Sequence, residues 1–315
     1  MENIIAKYRE TLPLLNDELF LTDGGLETTL IFHEGLDLPE FAAFVLLENE
    51  KGRNSLIKYY RKYASLACEN KVGFILESPT WRANPRWAGI LGYSEQATDQ
   101  INREAIHLLV QIRDEFENDS SKMVISGCIG PKGDGYVITE KMSVHQAENY
   151  HLPQIKTFSN TEADLVAAFT ITYTEEAIGI VRASQSTNMP VVIGFTVETD
   201  GRLPSGQTIG DAINIVDKAT NNYAAYYMIN CAHPTHFQNT LDCDESWKQR
   251  IRAVRANASA MSHAELDEAE EIDSGNPAEL GLQYKELRGQ LINLNILGGC
   301  CGTDFRHVEA IFQAV

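Results

Sequence analysis

The stretch Asn295-Ile296-Leu297-Gly298-Gly299-Cys300-Cys301-Gly302-Thr303-Asp304 decides how the rest of the chain is read. An apolar run leads into glycines and an amphipathic segment leaves them. The pattern predicts a strand, a turn and a closing helix over Asp304 to Ala314, with Asp304 as its N-cap. Adjacent cysteines rarely bridge each other, because a disulfide needs Cα atoms about 4.4–6.8 Å apart in suitable orientation. The flanking glycines open backbone conformations closed to other residues, which would let both thiols face one point. Such a pair suits a soft metal, zinc above all. Two buried structural cysteines would give the same pattern, since free Cys is among the most buried residue types.

Upstream, the same unit recurs. Apolar runs at Phe20-Leu21-Thr22, Val72 to Leu76, Met123 to Gly127, Leu165 to Thr170, Val191 to Thr196, Ala225 to Asn230 and, more weakly, Ile251 to Asn257 predict seven further strands. Helical spacing marks Ser55 to Asn70, Ile101 to Phe116, Ser143 to Phe158, Glu175 to Ala183, Ile209 to Asn222 and Pro277 to Leu291. Strict alternation implies a parallel sheet, and eight units imply a closed (β/α)8 TIM barrel, a single domain over residues 1–315. A doubly wound open sheet is the alternative.

With 43% hydrophobic and 22% charged residues among 315, the chain is long enough to bury a large core. A net charge of −18 argues against nucleic acid and anionic membranes as partners and favours a cationic ligand. No apolar run approaches the roughly 20 residues that span a bilayer. Met1 to Glu10 reads as a surface helix without a signal-peptide core, and Glu265 to Asp273 as a solvated acidic loop or helix face. Six cysteines in a chain of this length are no disulfide framework. They predict a reducing, cytoplasmic setting and metal ligation.

In a (β/α)8 barrel the active site lies at the C-terminal ends of the strands. The polar punctuation falls there: Asp23 after the first strand, Glu77 and Trp81 after the second, Cys231 after the sixth, Cys300 and Cys301 after the eighth. Three thiolates at one mouth would make a zinc site with a fourth position open to substrate. Cys68, Cys128 and Cys243 are assigned no such role.

Three motifs in this order carry a resemblance: Asp23-Gly24-Gly25-Leu26-Glu27-Thr28, Asn230-Cys231 and Gly298-Gly299-Cys300-Cys301-Gly302-Thr303. The chain resembles the homocysteine S-methyltransferase family, zinc-dependent thiol methyltransferases that include betaine- and S-methylmethionine-dependent enzymes. The resemblance covers nearly the whole chain and implies Cys231, Cys300 and Cys301 as zinc ligands. It also implies Asp23, Gly24 and Gly25 as the turn that contacts the amino-acid substrate. The implied partners are a small thiol and a cationic methyl donor, in a protein that is monomeric or a homo-oligomer. Aromatic faces and carboxylates should line the donor's pocket, with Trp81 and Glu27 as candidates. The chain is expected to lack the C-terminal extension of the betaine-dependent branch and any cobalamin or folate module.

One position departs from the pattern. Where the family is expected to hold the substrate ammonium with a Glu at the end of the fourth strand, this chain has Phe169. Either Glu77 or Glu198 replaces that charge, or the thiol is not homocysteine. Two other functions stay open: a zinc-binding barrel without methyl transfer, and zinc hydrolysis with His233 or His236 as base.

Overall fold

The computed structural model describes residues 6–269 and 271–315. Eight strands close into one parallel barrel in sequence order. They are β1 (Phe20–Leu21), β2 (Gly73–Glu77), β3 (Met123–Ile129), β4 (Leu165–Ile171), β5 (Val191–Phe195), β6 (Tyr226–Asn230), β7 (Ile251–Ala256) and β8 (Ile296–Gly299). β1 closes the ring by pairing with both β2 and β8. Parallel strands packed on both faces need apolar side chains on both, which is why these segments read as continuous apolar runs.

Alternate side chains divide between two cores. Phe20, Ile75, Val124, Leu165, Val192, Tyr226, Met228, Ala253 and Ile296 fill the barrel, while Leu21, Phe74, Ile125, Val166, Ile193, Tyr227, Val254 and Leu297 face the helices. The major helices are Glu50–Glu69, Glu95–Phe116, Val144–Ser159, Thr174–Ser186, Ile209–Thr220, Pro277–Gln290 and Phe305–Ala314. Asp304 caps the last of them, accepting from the Arg306 N–H at 2.9 Å.

Two expectations are corrected. β6 is not followed by a full helix: Pro234–Phe237 is a single turn that continues as the 3-10 turns Gln238–Leu241 and Ser246–Arg250. Asn, Thr, Asp and Ser crowd this connection, and their side chains compete for backbone groups, as Thr240 does by donating to the Phe237 carbonyl at 2.7 Å. The N-terminal segment is not a surface helix over its described part, and residues 1–5 lie outside the described residues. From residue 6 the chain runs through bends under the N-terminal mouth of the barrel. There the Arg9 guanidinium donates to the carbonyls of Ser159, Thr161 and Ala163, and Leu12 and Leu14 join the inner core.

The acidic run is a short helix, His263–Asp267, followed by irregular backbone, with Glu265, Asp267, Glu268, Glu271 and Asp273 exposed. Glu270 lies outside the described residues. Among the described residues, no helix is long and apolar enough to cross a membrane.

Candidate active site

The turns after β1 and β8 are laced together by their backbones. Gly25 N–H donates to the Thr303 carbonyl at 3.0 Å, and Gly299 N–H to the Asp23 carbonyl at 2.9 Å. Gly302 N–H reaches the Thr28 hydroxyl at 3.2 Å. This contact explains the glycines differently from the conformational freedom expected of them. Of the glycines in these two turns, Gly24, Gly25, Gly298, Gly299 and Gly302, only Gly302 has a positive φ, 77°. A Cβ on Gly25 would lie 2.5 Å from the Cys300 carbonyl oxygen, and one on Gly298 would meet the Thr22 hydroxyl. These two positions are glycine because another strand's backbone or side chain already occupies the space.

The three thiols of the sequence motifs meet here. Cys231 and Cys300 are joined as a disulfide with Cα atoms 5.4 Å apart, and the adjacent pair Cys300–Cys301 is not bridged. Cys301 Sγ is 3.8 Å from Cys231 Sγ, and all three sulfurs lie within 4.8 Å of one another. Zn–S bonds of about 2.3 Å in a tetrahedron put sulfurs about 3.8 Å apart. Cys231 and Cys301 already have that separation, so the donor set fits zinc once all three thiols are free. Bridge and metal exclude each other, because a ligand must be a free thiolate.

Cys231 sits at φ 53°, the left-handed region that a non-glycine residue enters at a cost. Its carbonyl accepts from Thr196 Oγ1 at 3.2 Å and His263 Nε2 at 2.6 Å, and its N–H donates to the Arg255 carbonyl at 3.1 Å. Thr170, φ 61°, is the second strained position. The Asn230 side chain holds it, accepting from the Thr170 N–H and donating to its hydroxyl, both at 3.0 Å. The register of β4 against β5 shifts between Ala168 and Ile171. Because of this bulge, the consecutive residues Phe169 and Thr170 both face the cavity instead of alternating.

That cavity encloses about 640 Å³, counting its open mouth, at the C-terminal end of the barrel. Its lining brings together ten of the site candidates read from the sequence: Asp23, Gly24, Gly25, Glu27, Glu77, Trp81, Phe169, Cys231, Cys300 and Cys301. Glu198 does not line it; its carboxylate lies 3.3 Å from His263 Nδ1 instead. Nor do His233 and His236, which bond to Thr235 and to the Ala260 carbonyl. One face of the Trp81 indole is taken by the Arg82 guanidinium, 4.0 Å from the ring centroid.

Two lining residues were not anticipated. Arg255, buried on β7, bonds to Asp23 Oδ1 at 2.5 Å, to the Gly24 carbonyl at 3.1 Å and to the Gly299 carbonyl at 2.9 Å. A charged residue flanked by Val254 and Ala256 in a predicted strand was the available signal. Tyr136 stacks on His263 with centroids 4.0 Å apart, and its hydroxyl is 3.7 Å from Cys301 Sγ. It follows the glycine loop after β3, and its position in the sequence does not mark it.

The cavity carries unusual carboxyl groups. Burial pushes Glu77 up from the ordinary 4.5 to about 7, against the pull of Arg255. Partly exposed Glu27 is likewise pushed up to about 7 by the surfaces around it. Burial also raises Asp23, opposed by the Arg255 charge and by hydrogen bonds from Tyr59 and Arg255. A carboxyl raised in the folded state favours folding fully below its unfolded pKa and loses that contribution as pH rises through its folded pKa. For Glu77 the window is about pH 4.5 to 7. Glu77→Gln should therefore gain stability relative to the parent as pH rises from 5 to 8, by roughly 2–4 kcal/mol at the upper end. Chemical denaturation of both proteins across that range checks it, and a difference independent of pH would contradict the assignment.

Comparisons with known proteins agree with this architecture. A model of the family described as homocysteine S-methyltransferase matches residues 20–315. Homocysteine S-methyltransferase 1 of Arabidopsis thaliana is 24% identical over 92% of this chain and 91% of its own length. Methionine synthase of Mycobacterium leprae is 23% identical over 97% of this chain, which spans 25% of that longer protein. Among solved structures, the oxidised form of the Escherichia coli homocysteine methyltransferase MmuM superposes with a TM-score of 0.74. It is 18% identical, and the match covers 97% of this chain and 99% of that one. The metallated form of MmuM gives 0.71 at 17% identity over 95% and 97%. At such identity the superpositions show a shared fold.

Proposed function

Because the chain belongs to the homocysteine S-methyltransferase family, we propose that it moves a methyl group from a sulfonium or quaternary ammonium donor to a small thiol such as homocysteine, using zinc held by Cys231, Cys300 and Cys301. The observation that carries this reading is the convergence of three thiols from the ends of β6 and β8 on one point in the cavity at the barrel mouth. A free thiol, with a pKa near 8.5, is mostly protonated at neutral pH. A zinc ion in this site would hold the acceptor thiol as the thiolate and leave a position open for it.

The chain's own residues supply the rest. Tyr136 and His263 pack behind the thiols, His263 by donating to the Cys231 carbonyl. Phe169, Trp81 and the barrel wall exclude water from the acceptor. The donor brings its own positive charge, and Glu27 lies at the mouth to balance it. The net charge of −18 favours approach of a cation over that of an anion.

The test is reduced, zinc-loaded protein incubated with homocysteine and other small thiols against S-methylmethionine, S-adenosylmethionine and betaine, with products read by mass spectrometry. Methylated thiol with at least one donor is expected. Zinc uptake without any methylated product would favour the barrel that binds metal and transfers nothing.

A further inference from the structure

All three thiols line the inner cavity, but of the three Cys301 alone also lines a second one. This outer cavity encloses about 1230 Å³, counting its open mouth, and shares Glu27, Trp81 and Tyr136 with the first. Phe32 and Phe41, 45% and 49% exposed, line it together with the carboxylates of Asp267 and Glu271. Aromatic faces beside negative charge suit the approach of a cationic methyl donor. A thiolate is the nucleophile such a donor methylates, whether the sulfur belongs to the substrate or to the protein. Cys301 is the protein sulfur that stands on the donor's side.

One hydroxyl is aimed at that sulfur. Tyr136 Oη is 3.7 Å from Cys301 Sγ. The phenol is fixed from two directions. Its ring stacks on His263 with centroids 4.0 Å apart, and its backbone N–H donates to Asp134 Oδ1 at 2.8 Å. His263 is fixed in turn, because its Nε2–H donates to the Cys231 carbonyl at 2.6 Å. With Cys301 held as a thiolate, only the phenol has a hydrogen to donate.

We propose that Tyr136 donates a hydrogen bond to the Cys301 thiolate and so protects this zinc ligand from methylation by the donor. This rests on the zinc-dependent thiol-methyltransferase reading. The hydrogen bond holds part of the sulfur's negative charge and lowers its basicity, and the nucleophilicity of a thiolate falls with its basicity. In the averted step Cys301 Sγ would bond to the methyl carbon while the bond from that carbon to the donor's sulfur or nitrogen breaks. The donor would leave neutral with the bonding pair. Methylated Cys301 is a neutral thioether, so the site would lose one of its three thiolates. Tyr136 acts through Cys301 and is a positioning residue.

Iodomethane, small and uncharged, is the probe. Reduced, zinc-loaded parent and Tyr136→Phe are treated with it briefly, without an acceptor thiol, and digested for mass spectrometry. The variant keeps the ring that stacks on His263 and loses only the hydroxyl. Cys243, outside the cluster, is the internal reference. Methylation of Cys301 relative to Cys243 should be roughly three- to tenfold higher in Tyr136→Phe, with Cys300 unchanged. Cobalt(II) in place of zinc gives a second readout. The thiolate-to-metal charge-transfer absorption should move to lower energy in Tyr136→Phe, because a hydrogen bond lowers the energy of the sulfur lone pair. Equal methylation of Cys301 in the two proteins would overturn the proposal. So would higher methylation with an unmoved absorption band, since the hydroxyl would then only block access. Both changes in a protein that methylates no thiol would defeat the proposed function and leave this role of Tyr136. Methylated thiol product with equal methylation of Cys301 would do the reverse.

Discussion

Cys300→Ser is expected to reduce bound zinc from about one ion per chain to near none and to bring methyl transfer to background. Cys300 supplies one of only three protein sulfurs in the cluster, and a serine hydroxyl is a poor replacement for a thiolate toward a soft metal. The loss in affinity should exceed the roughly 10–100-fold that removal of an outer partner costs. Zinc loading should be carried out under reducing conditions, since each ligand must be a free thiolate. The fold should survive, because the inner and outer cores are built without the thiols of Cys300 and Cys301. Metal analysis after gel filtration, with circular dichroism alongside, checks both parts. Cys243→Ser, outside the cluster, is the control and should keep its zinc. Full metal retention in Cys300→Ser would remove these thiols from the site.

Asp23→Ala is expected to have the largest effect on stability, about 3–5 kcal/mol. Asp23 and Arg255 are 3% and 5% exposed and bond at 2.5 Å. Removing the carboxylate leaves a buried guanidinium without its hydrogen-bonded counter-ion and takes an acceptor from the Tyr59 hydroxyl, 3.1 Å away. The penalty comes from the stranded charge, so the double variant Asp23→Ala/Arg255→Met should be more stable than Asp23→Ala alone. Denaturation midpoints of the parent, the two single variants and the double variant complete the cycle. A double variant no better than the single would show that packing, not charge, sets the cost.

The sequence by itself determined the barrel and most of the residues that gather at its mouth. Strands buried on both faces are continuous apolar runs, so the eight strands could be read from hydrophobicity alone. The ends of those runs located Asp23, Glu77, Cys231 and the Cys300–Cys301 pair on one rim, because a parallel barrel puts every strand's C-terminal end on the same face. The connection after β6 was not legible, since its polar residues bond locally and carry no helical period.

Only the tertiary structure decided which charges meet. Arg255 and Asp23 are 232 residues apart, and no local pattern marks them as a pair. Tyr136 and His263 become neighbours of the thiols through loops, whose paths do not follow from hydrophobic periodicity. Glu77 and Glu198 were equivalent as sequence candidates for a missing carboxylate. The fold separates them by sending one into the cavity with an unpaired oxygen and the other out to His263. Residue type set what each group is able to do; burial and the fixed geometry of neighbouring turns determined which groups pair.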